Sequence, residues 1–192
     1  MGYTPRARGV CKVIPRADDT ALEWVQSGDM KPCTAIDELS ALPARRLRAE
    51  DSAAVAEMFL RMSEQSLMRR FHSAKPYLSE QDMALMVDAD HTKCEAVAAM
   101  DDDGRFIAVA QYCEMGDPHT AQIAVVVLDE HQRRGIGRAL VGAIMRCARA
   151  NGYDRLFVRT LLDNEAAMAL FSEFGFQPYA DEDGVLELRL FG

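Results

Sequence analysis

The sequence lacks long hydrophobic runs and closely spaced cysteines. No window contains the roughly 18 consecutive apolar residues that a membrane-spanning helix needs, and residues 1–20 lack the apolar segment of a secretory signal. The five cysteines form no CxxC pair and stand far apart, at Cys11, Cys33, Cys94, Cys113 and Cys147. This spacing disfavours a disulfide framework and a zinc site, so we expect reduced thiols in a cytoplasmic protein. The four histidines also lack metal-ligand spacing, and no metal is expected.

The sequence also has fewer positively than negatively charged residues. The 22 Lys and Arg residues are outnumbered by 30 Asp and Glu residues, which gives a formal net charge of −8. The average field of such a chain repels nucleic-acid phosphates and anionic lipids, so neither is expected as a partner. A local basic patch can still bind a phosphate. With 192 residues and a hydrophobic share of 49%, the chain is long enough for one domain with a sizeable core.

The chain divides into two regions of different pattern. Residues 1–43 are punctuated by four prolines and contain one short helical pattern, at 17–26. We expect them to form an N-terminal extension that packs on the domain or exchanges with a partner subunit, which leaves a homodimer open. Residues 44–192 have regular periodicity and form the predicted domain.

The domain pattern predicts an α/β (α+β) fold with a mixed sheet of about six or seven strands and flanking helices. Strands are predicted at 44–49, 94–100, 105–115, 120–128, 153–161 and 184–192. Helices are predicted at 52–62, 79–89, 135–150 and 164–175. The segment 120–128 is β-branched and almost continuously apolar, so it is expected to lie centrally in the sheet.

The segment VVVLDEHQRRGIGRAL, residues 125–140, carries the clearest chemical signal. A buried strand leads through a short loop into a helix, whose first turn has free N–H groups and the positive end of the helix dipole. Gly135 and Gly137 allow a bulky phosphate to approach the backbone. Three arginines add charged donors, Arg133, Arg134 and Arg138. The pattern favours a diphosphate ligand, although a solvated helix cap would have the same residues. It contains no Walker loop, and a dinucleotide fingerprint would need glycine at Leu140.

This segment resembles the acyl-CoA motif of the GNAT (GCN5-related) N-acetyltransferase superfamily, Q/R-x-x-G-x-G/A, through Gln132, Gly135 and Gly137. The resemblance continues in NEAAMALFSEFGF, residues 164–176. Upstream, residues 47–71 resemble the opening of the GNAT domain in bacterial protein lysine acetyltransferases. Together the three segments cover roughly residues 44–190.

The resemblance implies that acetyl-CoA is the co-substrate and lies between two splayed strands, 120–128 and 153–161. Backbone groups of the first strand would bind the pantetheine arm, and the loop N–H groups would hold the diphosphate. Asn164 would contact the coenzyme, serve as a helix N-cap, or do both. The implied cofactor-binding residues are Val125, Val127, Gln132, Arg133, Arg134, Gly135, Ile136, Gly137, Arg138, Asn164 and Phe171.

The implied reaction is direct transfer of an acetyl group to a primary amine, either a protein lysine or a small-molecule amine. The sequence departs from the family at two positions, because Gln122 stands where the protein acetyltransferases have a glutamate base and Phe171 where many members have a tyrosine acid. Gln122 could orient a water, and Glu114 or His119 could replace the base, with His131 a weaker alternative. A catalytically quiet acyl-CoA sensor is the alternative function. The pair Arg69-Arg70 could attract an acidic acceptor, although an exposed basic pair is the more common arrangement.

Overall fold

The computed structural model describes residues 33–36, 39, 42–74 and 77–191. These residues form a seven-stranded sheet in the order β1-β2-β3-β4-β5-β7-β6. The strands are β1 Ala44–Arg46, β2 Cys94–Met100, β3 Phe106–Met115, β4 Asp117–Val127, β5 Arg155–Leu161, β6 Gln177–Glu182 and β7 Val185–Phe191. The helices are α1 Ser52–Leu60, α2 Glu64–Phe71, α3 Glu80–Val87, α4 Ile136–Ala150 and α5 Glu165–Glu173. Only β4 and β5 pair in parallel, so the predicted mixed sheet is confirmed.

Helices cover both faces of this sheet. Arg45 of β1 pairs with a residue of β2, that residue pairs with one of β3, and the latter pairs with Val126 of β4. The side chains of Arg45 and Val126 therefore lie on the same face of the sheet. Arg45 forms a 2.7 Å hydrogen bond with Asp51, just before α1, so α1 lies on that face. The next residue of β4, Val127, points the opposite way, and a Cβ built on Gly137 of α4 would lie 3.6 Å from it. The first three helices and the last two therefore pack on opposite faces.

The two central strands separate after a short paired stretch. β4 and β5 are joined only where Thr120–Gln122 lies beside Arg155–Phe157. Beyond Gln122, the β5 side of β4 has no strand partner among the described residues. The predicted opening between two central strands is confirmed, and it lies at their carboxyl ends, where open α/β sheets bind ligands.

Two elements and two strand boundaries differ from the sequence-based expectation. β1 ends at Arg46 and not at residue 49. α2 was not predicted because its eight residues are mostly polar and carry only a short apolar stripe. β6 was not predicted because all six of its residues are exposed, so no alternation marks it. β4 begins at Asp117, which places His119 within the strand and leaves Gly116, with φ of 78°, as the connection to β3.

The cysteines also differ from expectation. The structure pairs Cys33 with Cys147 and Cys94 with Cys113 as disulfides, contrary to the expected reduced thiols. Cys94 lies directly opposite Cys113 across β2 and β3, a proximity that is visible only once the register is known. Cys11 and the helical pattern at 17–26 lie outside the described residues.

The packed core begins before residue 44, the expected start of the domain. Ala35 is 5% exposed and Ile36 is 2% exposed, and both belong to the hydrophobic core. Arg146 of α4 donates to the Ala35 carbonyl. No helix in the described part of the chain is long and apolar enough to cross a membrane.

Candidate active site

A cavity of about 480 Å³ lies where β4 separates from β5. Its walls come from α2, the end of β4, the loop that follows β4, the start of α4, and α5. The lining residues are Ser66, Arg69, Arg70, Val125, Val126, Val127, His131, Gln132, Arg133, Gly135, Gly137, Arg138, Asn164, Ala166, Ala167, Leu170 and Glu173. The cavity thus has one wall from the predicted anion-binding loop and another from α2.

The loop after β4 presents unpaired main-chain donors to this cavity. Arg133 has φ of 57° and Gly135 has φ of 82°, both in the left-handed region. In the described residues, no N–H from 133 to 138 has a hydrogen-bond acceptor, and Ala139 is the first to bond, to the Gly135 carbonyl. Successive free N–H groups in such a turn form a concave anion-binding site at the positive end of α4.

Side-chain charge adds to this loop. Arg133 and Arg134 are exposed, whereas Arg138 lies 3.1 Å from Glu173 of α5 in an exposed ion pair. The donor set therefore fits a diphosphate, because it combines backbone N–H groups with guanidinium groups.

A hydrogen-bond network fixes the loop against α2. Asp129 accepts from the Ser63 N–H at 3.1 Å, the Ser63 hydroxyl at 2.9 Å and the Ser66 hydroxyl at 2.8 Å. Burial alone would raise the pKa of Asp129, but these hydrogen bonds outweigh it and hold the pKa below its usual range. Gln132 Nε2 donates to the Val127 carbonyl at 3.1 Å. Gln132 therefore holds the end of β4 in place while it lines the cavity.

The predicted cofactor-binding residues fall into two groups. Eight of them line the cavity: Val125, Val127, Gln132, Arg133, Gly135, Gly137, Arg138 and Asn164. Asn164 is also the N-cap of α5, since its Oδ1 accepts from the Ala167 N–H at 3.3 Å. The other three lie outside the lining. Phe171 is 2% exposed and packs edge-on against Phe176, Ile136 is 9% exposed, and Arg134 points to solvent.

None of the three principal catalytic candidates lines the cavity. Glu114 accepts a hydrogen bond from the Tyr153 hydroxyl at 3.1 Å and lies opposite Ala121, in the stretch of β4 that pairs with β5. His119 is exposed near the start of β4. Gln122 is partly buried and is the last residue of β4 that pairs with β5, so it stands where the strands separate. His131 does line the cavity.

Sequence reasoning did not assign α2 to the cavity. Ser66, Arg69 and Arg70 all project from this helix into the lining. The available signal was Ser63, whose side chain accepts from the Ser66 N–H and caps the helix. The expectation that Arg69-Arg70 is an exposed pair is wrong, because both residues are partly buried.

A second cavity, of about 360 Å³, lies at the opposite end of β4 and β5. Its lining includes Asp117 and Arg155, which already pair with each other at 2.6 Å. Its lining includes one glycine, Gly116 in the turn between β3 and β4, and no residue of a helix N-terminus. The cavity beside the loop is therefore the better candidate for the functional site.

The splayed sheet with an anion-binding loop after its central strand defines the architecture of GNAT acetyltransferases. The structure superposes on the GNAT domain of S. lividans PAT with a TM-score of 0.73 and 27% identity, covering 78% of this chain and 89% of that one. Residues 57–176 match the acetyltransferase (GNAT) family. The chain belongs to this family, as its sequence resemblance predicted.

Two curated relatives are similar to this chain over more than 120 residues. Acetyltransferase Pat of Mycolicibacterium smegmatis is 34% identical over 129 residues, which cover 65% of this chain and 38% of Pat. Acetyltransferase PA5475 of Pseudomonas aeruginosa is 26% identical over 167 residues, which cover 83% of each. The chain therefore spans less than two fifths of the length of Pat.

Proposed function

We propose that the protein transfers an acetyl group from acetyl-CoA to a primary amine, of a protein lysine or of a small molecule. The observation that carries this proposal is the junction of two features in one cavity. One is the run of free N–H groups from 133 to 138, and the other is the open edge of β4 after Gln122. Membership of the acetyltransferase family supports it.

The chain's own groups would bind and orient the donor. The loop N–H groups, Arg133 and Arg138 would hold the diphosphate. The free edge of β4 would bind the extended pantetheine arm as an added strand does. Gln132 already donates to the Val127 carbonyl, so this carbonyl is held in position before any ligand arrives.

Acetyl-CoA supplies an activated thioester carbonyl. The nitrogen lone pair of the acceptor forms the new N–C bond as the C–S bond breaks, and the sulfur leaves as a thiolate. A main-chain N–H near the end of β4 would stabilise the developing charge on the carbonyl oxygen. The amine must reach this point uncharged, because an ammonium has no lone pair. Water, held near Gln122 or His131, would take the amine proton and return one to the thiolate.

A second candidate is a sensor that binds acyl-CoA without turnover. The placement of Glu114 and His119 outside the cavity favours it, as does the buried Phe171. The sensor would bind acetyl-CoA as the enzyme does, so only acceptor-dependent turnover distinguishes the two.

The test is release of free thiol from acetyl-CoA in the presence of a broad panel of amines and lysine peptides. We expect release that depends on the acceptor and rises with pH as the amine loses its proton. Calorimetry with acetyl-CoA is run beside it. Binding without release for any acceptor would support the sensor, and absence of binding would overturn both functions.

A further inference from the structure

Buried polar atoms without partners concentrate on one face of the sheet. Four of the five such atoms in the described residues are Arg69 Nε, His72 Nε2, Gln111 Oε1 and Arg159 Nε, and the fifth is Thr160 Oγ1. Arg69 and His72 belong to the C-terminal end of α2, which packs on β4 and β5. Gln111 pairs with Ala124 and Arg159 lies two residues beyond Phe157, the partner of Gln122. Their side chains therefore share the face of Gln122.

This cluster is strongly positive. In the part of the chain that the structure describes, Arg69, Arg70 and Arg159 form no ion pair, although Arg45, Arg46 and Arg155 each bond a carboxylate. Arg70 stacks on the Phe71 ring at 5.0 Å. These arginines are partly buried, and removing a cation from water without a counterion is costly, so such a group is expected to have an anionic partner.

The pKa shifts of Arg70 and His72 agree with burial of positive charge in this cluster. Burial lowers the pKa of Arg70 to about 10, although the nearby Asp82 acts to raise it. Burial also lowers the pKa of His72, and the charges of Arg159 and Arg70 lower it further, against a hydrogen bond with the Arg159 backbone. His72 therefore lies within the field of both arginines, which disfavours its charged form.

Two arginines of α2 connect this cluster with the proposed active-site cavity. Arg69 and Arg70 line the same cavity as the loop of free N–H groups and the end of β4. An acceptor that enters from α2 would meet the arginines, and its amine would approach the open edge of β4. The two walls thus offer separate anion sites, one built from main chain and one from side chains.

We propose that the acceptor is a small amine that carries a carboxylate or phosphate group, and that Arg69 and Arg70 bind this anion, with the charge of Arg159 adding to the positive field of the cluster. The inference rests on the proposed function and names its acceptor class. Guanidinium groups bind carboxylate and phosphate through paired, charge-assisted hydrogen bonds. The same positive charge lowers the pKa of the acceptor's ammonium, which favours the uncharged amine that reacts. Polycationic amines are poor acceptors for the same reason.

The first experiment measures binding and needs no turnover. The protein is saturated with coenzyme A and titrated by calorimetry with ω-amino acids of one to five methylenes, their primary amides, and their phosphonate analogues. We expect an acid to bind at least ten times more tightly than its amide for at least one chain length. The phosphonate series distinguishes phosphate from carboxylate as the preferred anion. If the amides bind as well as the acids at every length, or if no acid binds, the proposal is overturned.

The second experiment repeats the comparison with matched variants. Arg70→Gln is expected to reduce the acid-to-amide ratio at least tenfold. Arg105→Gln is the control, because Arg105 pairs with exposed Asp103 in the β2–β3 hairpin. Arg69→Gln replaces the first variant if thermal melts show that Arg70→Gln does not fold. Preservation of the ratio in a folded variant would overturn the proposal.

These experiments distinguish failure of the proposed anion site from failure of the proposed acetyl transfer. Thiol release with neutral and acidic amines at equal efficiency would support acetyl transfer and overturn the anion site. Preferential binding of acids without any thiol release would support the anion site and overturn the transferase.

Discussion

The two walls of the cavity are built in different ways. The loop wall uses main-chain N–H groups of one continuous segment, residues 133–138, with exposed arginines beside it. The α2 wall uses the side chains of Ser66, Arg69 and Arg70. α2 packs on β4 and β5, and the further cluster residues lie on separate strands, Arg159 on β5 and Gln111 on β3, which pairs with β4. A site made from contiguous backbone leaves its glycines in the sequence, whereas a site assembled from distant segments is visible only after folding.

The largest expected effect tests the loop wall. Valine at Gly135 would be strained, because φ of 82° places this position in the left-handed region. The variant loop would relieve a strain of about 2 kcal/mol by changing its conformation. Binding of acetyl-CoA would have to restore the original, strained conformation, so the Kd for acetyl-CoA should rise about 30-fold. Calorimetry of Gly135→Val measures the change.

Gly104→Val provides the matched control for this variant. Gly104 has φ of 79°, and like Gly135 it has no atom within 4 Å of a built Cβ. Both variants should lose similar thermal stability, but Gly104 lies in the β2–β3 hairpin and its substitution should leave the Kd unchanged. Equal affinity in the two variants would show that the loop conformation does not matter for binding.

The loop wall is the part of the site that could be predicted from the sequence. Gln132, Gly135 and Gly137 were found because one segment carries the strand, the glycines and the helix start. Arg159 and Gln111 carried no comparable signal. They lie 48 positions apart, on strands that are not adjacent, and only the register places them on one face. The paired Cys94 and Cys113 were missed for the same reason.

The second prediction tests the α2 wall through Gln122. A carboxylate at this position would share a face with Arg159 and compete with the anion of the acceptor. A repulsion of about 1.4 kcal/mol between the two anions would raise the acceptor KM about tenfold. Steady-state kinetics of Gln122→Glu should therefore show a higher KM for carboxylate-bearing amines and an unchanged KM for acetyl-CoA.

Gln122→Glu could also reveal a different arrangement. A faster reaction with neutral amines, together with a new acidic limb in the pH profile of kcat, would identify position 122 as the place of a general base. The α2 wall would then be a proton-transfer site, and the contrast with the loop wall would change accordingly.

A third prediction concerns the contact that joins the two walls. Asp129→Asn removes a charge that accepts three hydrogen bonds from Ser63 and Ser66. The residue is partly open to water, so we expect a loss of about 1 kcal/mol in the free energy of unfolding. Denaturant unfolding measures it. Asp103→Asn, which removes an exposed ion pair with Arg105, should change stability less.

The pH dependence of this difference has a defined sign. The folded pKa of Asp129 is lowered, so its contribution is complete above the unfolded pKa of about 4 and is lost as pH falls through the folded value. The stability gap between the two proteins should therefore be constant at neutral pH and close below pH of about 4. If the stability difference persisted in acid, the amide introduced at position 129 would destabilise the protein through its shape or hydrogen bonding and not through the lost charge.

The smallest expected effect is at Glu114, which belongs to neither wall. Burial raises the pKa of Tyr153, and the hydrogen bond and charge of Glu114 raise it further. Glu114→Gln should lower this tyrosine pKa, measured by ultraviolet titration, and should change kcat/KM for acetyl transfer less than about twofold, because the carboxylate lies outside the cavity. A large fall in kcat with loss of the acidic limb of the pH profile would instead make Glu114 the base. Proton transfer would then take place at the paired end of β4, and acceptor binding would have to extend from the α2 wall to that end of the strand.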